Sequence, residues 1–128
     1  MRRTDDGAAV VDFVLVSVLL VTLFLMVFQV GVVLHVRNVL VASAAEGARY
    51  GANADRSPEE GADRAKQVIA GALGGRVARS MTCVPVGGED LNGQPVVDIR
   101  CTGPMPIVFL PTGAFSLTVH GHAVEEAP

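Results

Sequence analysis

The residues whose side chains are suited to chemistry are few and lie far apart. Cys83 and Cys101 are the only cysteines, and His120 and His122 are the only closely spaced histidines. The cysteines lack the CxxC spacing of zinc sites, and the histidine pair has no evident third ligand. The chain contains no glycine-rich phosphate loop, no Gly-x-Ser-x-Gly elbow and no His-Glu-x-x-His motif. The sequence therefore predicts no enzymatic activity, metal site, cofactor or small-molecule substrate.

The two cysteines lie in short β-like runs, MTCVPV and PVVDIRCT. In an antiparallel pair of strands they would stand opposite or diagonal to one another. A disulfide between Cys83 and Cys101 would contribute about 3 kcal/mol by restricting the unfolded chain. Two buried free thiols are the alternative. A cysteine pair confined to the distal half favours an oxidising compartment for that half.

Composition argues against a nucleic-acid partner. The net charge is −3, and the ten basic residues are scattered along the chain. A nucleic-acid-binding protein usually carries a basic stripe or patch instead.

The run from Phe13 to Leu34 contains no charged residue. A helix of this length reaches about 33 Å, enough to cross a hydrocarbon core of about 30 Å. A lone segment in lipid has to be helical, because its backbone has no other hydrogen-bond partners. Thr22 and Gln29 lie on nearly one stripe of this helix, where they are candidates for hydrogen bonds to a partner helix. Bonds to their own backbone are the alternative.

The flanks of the run predict its orientation. Arg2 and Arg3 precede it and Arg37 follows it. The positive-inside rule then favours a cytoplasmic N-terminus. Together with the cysteine pair, this predicts a single-pass protein of the plasma membrane whose C-terminal domain is extracytoplasmic.

Asp12 joins a carboxylate directly to the apolar run. An ionised acid costs about 3 kcal/mol at the centre of a membrane helix and less near its end. Asp12 either lies at the interface near the helix N-terminus, where negative charge is favourable, or meets a positive partner such as another subunit's amino terminus. The residues themselves favour neither alternative.

The segment Gly7-Ala-Ala-Val-Val-Asp-Phe resembles the processing signature of type IV prepilins. In that class a prepilin peptidase cuts after the glycine, and an acid at the fifth mature position aids assembly. The resemblance implies cleavage after Gly7 and an assembly charge at Asp12, where aspartate replaces the usual glutamate.

The segment after the run is similar to TadE-like proteins of tight-adherence (Tad/Flp) pilus systems. The similarity lies in Arg37-Asn38 and in Ala44-Ala-Glu-Gly-Ala-Arg-Tyr50. It implies a membrane-anchored minor pseudopilin in pilus assembly, with the membrane, other pilin or pseudopilin subunits, assembly proteins and prepilin peptidase as partners. Glu46 and Tyr50 share one side of a helix, and Gly47 and Gly51 permit close approach of a neighbour.

The remaining pattern predicts an α+β fold. The first helix continues beyond the membrane to Ala54, and Ser57, Pro58 and Glu60 start a second helix that ends at Gly74-Gly75. The stretch from Phe115 to Val124 alternates as a half-buried strand of a small antiparallel sheet. We therefore expect a leader (1–7), a transmembrane helix with its extension (8–54) and a small extracytoplasmic domain (55–128).

A binding domain unrelated to pili is the alternative function. It would be secreted, or anchored in the membrane as a sensing module. Val41-Ala-Ser-Ala44 has the small residues of a signal-peptidase site, with release at Ala45. The apolar run, however, exceeds the 7–15 residues usual in a signal peptide.

Overall fold

The computed structural model describes residues 5–89, 92–105, 107 and 115–127. Three helices precede a three-stranded antiparallel sheet of order β1-β2-β3, which confirms the predicted α+β class. The elements are α1 (Asp5–Gly51), α2 (Pro58–Leu73), α3 (Gly75–Ser80), β1 (Thr82–Glu89), β2 (Pro95–Pro104) and β3 (Ser116–Val124). Residues 1–4 of the expected leader, with Arg2 and Arg3, lie outside the described residues.

The chain forms two compact units, Met1–Val32 and Val33–Pro128. The first unit consists of the N-terminal part of α1. The second contains the remainder of α1, both shorter helices and the sheet.

Helix α1 is the one candidate membrane span among the described residues. The apolar segment within Gly7–Gly51 has a mean hydropathy of 2.8, and none of it is buried within the chain. The helix ends at Gly51, before the predicted end at Ala54. Its continuity follows from a sequence that has no proline between Asp5 and Gly51.

Helix α2 begins with the predicted capping box. The Glu60 backbone N–H donates to Ser57 Oγ at 3.2 Å, and the Ser57 N–H donates to Glu60 Oε2 at 2.9 Å. Each bond satisfies a backbone donor that has no partner within the helix. The predicted stop is also confirmed, because α2 ends at Leu73 and Gly74 follows with φ +94°.

Helix α3 was not predicted. It begins at Gly75, one of the two glycines expected only to end α2, and runs for six residues to Ser80. A helix this short spans less than two turns, so its sequence shows no helical period.

Strands β1 and β2 pair directly from Thr82↔Thr102 to Glu89↔Pro95. The strands extend further than the runs MTCVPV and PVVDIRCT indicated, so the connection between them is shorter than those runs suggested. Gly93 lies in the connection with φ +74°, a backbone conformation that glycine adopts without strain.

The alternation predicted for β3 is confirmed. Val119 and Gly121 are buried, whereas Thr118, His120 and His122 are exposed. The buried face of the sheet packs with the helices of the second unit into one core, which contains Leu40, Ala44, Ala48, Ala52, Ala62, Ala65, Ile69, Ala78, Met81, Val97, Ile99, Cys101 and Val119.

Candidate functional site

The N-terminal part of α1 presents a continuous apolar surface. Phe13 is 73% exposed and Phe24 is 67% exposed, and the valines and leucines between them are exposed as well. Water-soluble monomers rarely expose contiguous apolar patches of this extent. The surface is suited to lipid or to other apolar helices.

Two polar residues of this surface, Ser17 and Thr22, form hydrogen bonds within the helix. The Ser17 hydroxyl donates to the Phe13 carbonyl, and the Thr22 hydroxyl donates to the Val18 carbonyl, each at 2.7 Å. For Thr22 this is the backbone bond expected as the alternative to a partner helix. The Thr22 hydroxyl oxygen can still accept a hydrogen bond from a second helix. Packing of Thr22 and Gln29 against such a helix therefore stays a prediction.

Gly7 and Asp12 both lie near the start of α1. A side chain built at Gly7 would meet nothing within 4 Å, and the Asp12 side chain is exposed. Their surroundings therefore leave both residues accessible to another protein. The processing role of Gly7 and the assembly role of Asp12 stay predictions.

The C-terminal part of α1 carries a buried row of small residues. Ala44 and Ala48 are 0% exposed, and Gly47 and Gly51 lie against α2. A Cβ atom at Gly47 would be 2.5 Å from the Gly61 carbonyl oxygen and 2.7 Å from the Ala65 Cβ. These distances are too short for real contacts, so the two backbones meet only because the residues between them are small. The close approach predicted for Gly47 and Gly51 is confirmed.

The same row lies on the sheet through Gly121. A Cβ atom at Gly121 would overlap the backbone of Ala44 and Ala45. Any side chain at this position of β3 would therefore push α1 away from the sheet. The residues of the AAEGARY segment thus have a defined structural task, which is to let one helix contact both α2 and β3.

Glu46 and Tyr50 form the half-buried border of this contact. Arg64 of α2 contacts both residues. Its Nη2 atom is 3.8 Å from Glu46 Oε1, and its Cζ atom is 5.9 Å from the centre of the Tyr50 ring. Arg56 stands over the same ring at 5.0 Å and also contacts Glu60 at 3.4 Å. Exposed ion pairs and cation–π contacts each contribute about 1 kcal/mol or less. The contacts of this border therefore add little to the stability of the fold.

The spacing of Glu46 and Tyr50 predicted that they share one side of α1, but no sequence pattern indicated Arg64 as their shared partner. Arg64 follows the α2 start by one and a half helical turns and carries no local signal. Only the distance across the helix pair shows the contact.

The two cysteines are directly opposite in the β1–β2 register. Their sulfur atoms are 2.02 Å apart, which is the length of a disulfide bond. Cys101 belongs to the buried core, and Cys83 packs against it. The crosslink therefore joins an edge strand of the sheet to its central strand.

His120 and His122 share the exposed face of β3, as predicted. His120 Nδ1 lies 3.2 Å from Asp98 Oδ2 on the neighbouring strand. Within the part of the chain that the structure describes, no three histidine, cysteine or acidic side chains are arranged to hold a metal ion. The described geometry gives this face a hydrogen bond between His120 and Asp98.

Comparison with known families supports the sequence resemblance. Residues 7–49 match the family model described as TadE-like protein. No curated protein and no solved structure gives a significant match. The matched segment begins at Gly7 and extends through the apolar surface into the row of small residues. It supports a protein associated with a Tad pilus.

Proposed function

We propose that this chain is a membrane-anchored pseudopilin that takes part in the assembly of a Tad-type pilus or a related secretion apparatus. The observation that carries the proposal is the extent of the TadE-like match, residues 7–49. This segment includes the exposed apolar surface of α1 and most of the small residues that hold the same helix to α2 and β3.

The apolar surface supports membrane anchoring. Its residues have the length and hydropathy of a span, and no residue of the apolar segment is buried within the chain. In lipid such a helix satisfies its own backbone and exposes side chains as apolar as the acyl tails. In a fibre the same side chains would pack against the helices of neighbouring subunits.

The burial of the second half of α1 argues against release of a secreted domain at Ala45. Leu40, Ser43 and Ala44 are each at most 1% exposed in the second unit. Cleavage after Ala44 would remove all three from the core of that unit. The remaining domain would then expose the part of the sheet at Gly121 that lies against the Ala44 backbone.

In this role Gly7 marks the cut made by a prepilin peptidase, which leaves Ala8 as the first residue and Asp12 as the fifth. The Asp12 carboxylate then attracts a positive group of a neighbouring subunit during assembly. The protein is a structural component, without catalysis or a cofactor. Its N-terminus is cytoplasmic before cleavage, and its disulfide-bonded domain lies outside the plasma membrane, where the oxidising environment preserves the bond.

The substitution Asp12→Asn tests this role. It removes the charge with almost no change of volume, so we expect the protein to remain in the membrane fraction while the yield of sheared pili falls. Asp63→Asn is the matched control, because Asp63 is an exposed acid on α2, and it should leave piliation unchanged. Both variants are measured by carbonate-resistant membrane association and by immunoblotting of the sheared fraction.

Normal piliation in the Asp12→Asn strain would contradict the assembly role proposed for the Asp12 carboxylate. Normal piliation in a strain that lacks the whole protein would contradict the proposed function itself. It would favour an anchored binding module unrelated to pili.

A further inference from the structure

The second unit contains an apolar groove that its own core leaves open. Val36 and Leu40 of α1, Leu73 of α2, Val77 of α3 and Met105 after β2 line a space of about 520 Å³. This volume lies in the range of ligand-sized clefts, yet the groove is open along one side rather than closed into a cavity.

The groove begins directly after the apolar run. Val36 follows Leu34 by two residues of the same helix, and Leu40 follows it by six. At a rise of about 1.5 Å per residue, these side chains start about 3 Å and 9 Å beyond the end of the run. The interfacial region of a bilayer extends about 5–8 Å beyond the hydrocarbon on each side. The groove therefore starts at the depth of lipid glycerol and phosphate groups.

The charged residue that lines the groove is positive. Arg76 is the one charged residue among the described lining residues. Arg37 and Arg79 are exposed and adjoin the lining residues Val36 and Ser80 in sequence. A guanidinium group binds phosphate through paired hydrogen bonds, and its aliphatic stem covers apolar surface. Apolar side chains edged by arginine match the interface of an anionic bilayer.

We propose that this groove is a second membrane contact, in which the α2–α3 corner rests on the bilayer and takes an anionic phospholipid. The apolar lining contacts the upper part of the acyl chains, and Arg76 binds the phosphate together with Arg37 and Arg79. The inference rests on the proposed membrane anchoring, because the span brings the groove to this depth. A second copy of the chain is less well matched, since it would place the same arginines near one another.

Tryptophan fluorescence tests the contact in the full-length protein, which has no native tryptophan. The variant Leu73→Trp places the probe in the groove, and Val77→Trp provides a second position if the first variant does not fold. Phe24→Trp marks the span, and Val84→Trp marks the sheet, where the native side chain is 42% exposed. Each variant is reconstituted in vesicles of phosphatidylethanolamine and phosphatidylglycerol, with and without brominated acyl chains. An intact disulfide and native circular dichroism identify the folded variants.

We expect brominated lipid to remove most of the emission of Phe24→Trp, a substantial part of that of the groove variants and none of that of Val84→Trp. Removing Arg76 and Arg79 as Arg76→Gln with Arg79→Gln should weaken the groove contact about fivefold for each charge. High salt should have the same effect on the groove probe, because it screens these charges.

Quenching of Phe24→Trp without quenching at either groove position would overturn this inference and leave the membrane anchor intact. An unquenched Phe24→Trp would overturn the anchor and the inference together. Groove emission that shifts with protein concentration in lipid-free detergent would assign the groove to a second copy of the chain, and would also overturn the proposal.

Discussion

The first half of α1 exposes large apolar side chains, whereas the second half buries small ones. In the first half, Phe13 and Phe24 are more than two-thirds exposed, whereas in the second half Ala44 and Ala48 are completely buried. A water-soluble helix is expected to bury its large apolar side chains and to expose small or polar ones. The contrast shows that hydrophobicity and burial within the chain are separate properties of this helix.

Each half is adapted to a different neighbour. The first half has large apolar side chains over its whole surface, which suits a medium that is itself apolar. The second half replaces them with alanine and glycine on one side, so that the backbones of α2 and β3 come close. One continuous helix therefore joins a surface for lipid or partner helices to the core of a small domain.

A charge in the first half should have the largest effect. Leu23→Arg places a cation in the middle of the apolar run, where insertion costs about 2.5–3.5 kcal/mol. We expect the variant to leave the carbonate-resistant membrane fraction. Val84→Arg adds the same side chain to an exposed site on β1 and should remain in the membrane. Equal retention of both variants would mean that the first half of α1 is not in lipid.

An added methyl group in the second half should have an intermediate effect. Gly47→Ala forces a Cβ atom to within 2.5 Å of the Gly61 carbonyl oxygen, so we expect a loss of about 1–3 kcal/mol in the free energy of unfolding. Gly71→Ala is the matched control, because nothing lies within 4 Å of its Cβ position. That helical substitution should stabilise the protein by about 0.5–1 kcal/mol.

Chemical denaturation of the full chain in detergent micelles, followed by circular dichroism, measures both glycine variants. A destabilisation that is equal in Gly47→Ala and Gly71→Ala would show that α1 and α2 do not meet at the distance described.

Loss of the α2 cap should have the smallest effect. Ser57→Ala removes the oxygen that accepts from the Glu60 N–H, at a cost of about 1 kcal/mol. The unfolding midpoint of the second unit should fall, while membrane retention stays unchanged. Ser116→Ala, at the exposed start of β3, serves as the control. A change in membrane retention with Ser57→Ala would show that the two halves of α1 are not energetically independent.

Features that depend on neighbours in sequence were predictable. Ser57 and Glu60 are three residues apart, so the residue types alone indicate both hydrogen bonds of the capping box. The apolar run and the alternation of β3 are also local patterns, and both appear as expected. The cysteine pair needed only the antiparallel pairing of two adjacent strands.

Features that depend on distant contacts were not predictable from one sequence. Gly121 lies on the buried face of β3, but nothing in that strand indicates that the backbone of Ala44 occupies the space of a side chain. The pairing of Arg64 with Glu46 and Tyr50 likewise requires the distance between α1 and α2. The short α3 and the groove beside it likewise depend on contacts between residues that are far apart in sequence.

The N-terminus of the protein purified from membranes of cells that contain a prepilin peptidase shows whether the chain is a processed, membrane-anchored pseudopilin. Mass spectrometry of the N-terminal peptide should identify Ala8 as the first residue, in a protein that is retained in the membrane with α1 intact. A protein that begins at Ala45 and is recovered in the soluble fraction would contradict the account, because it would lack both the span and part of the core.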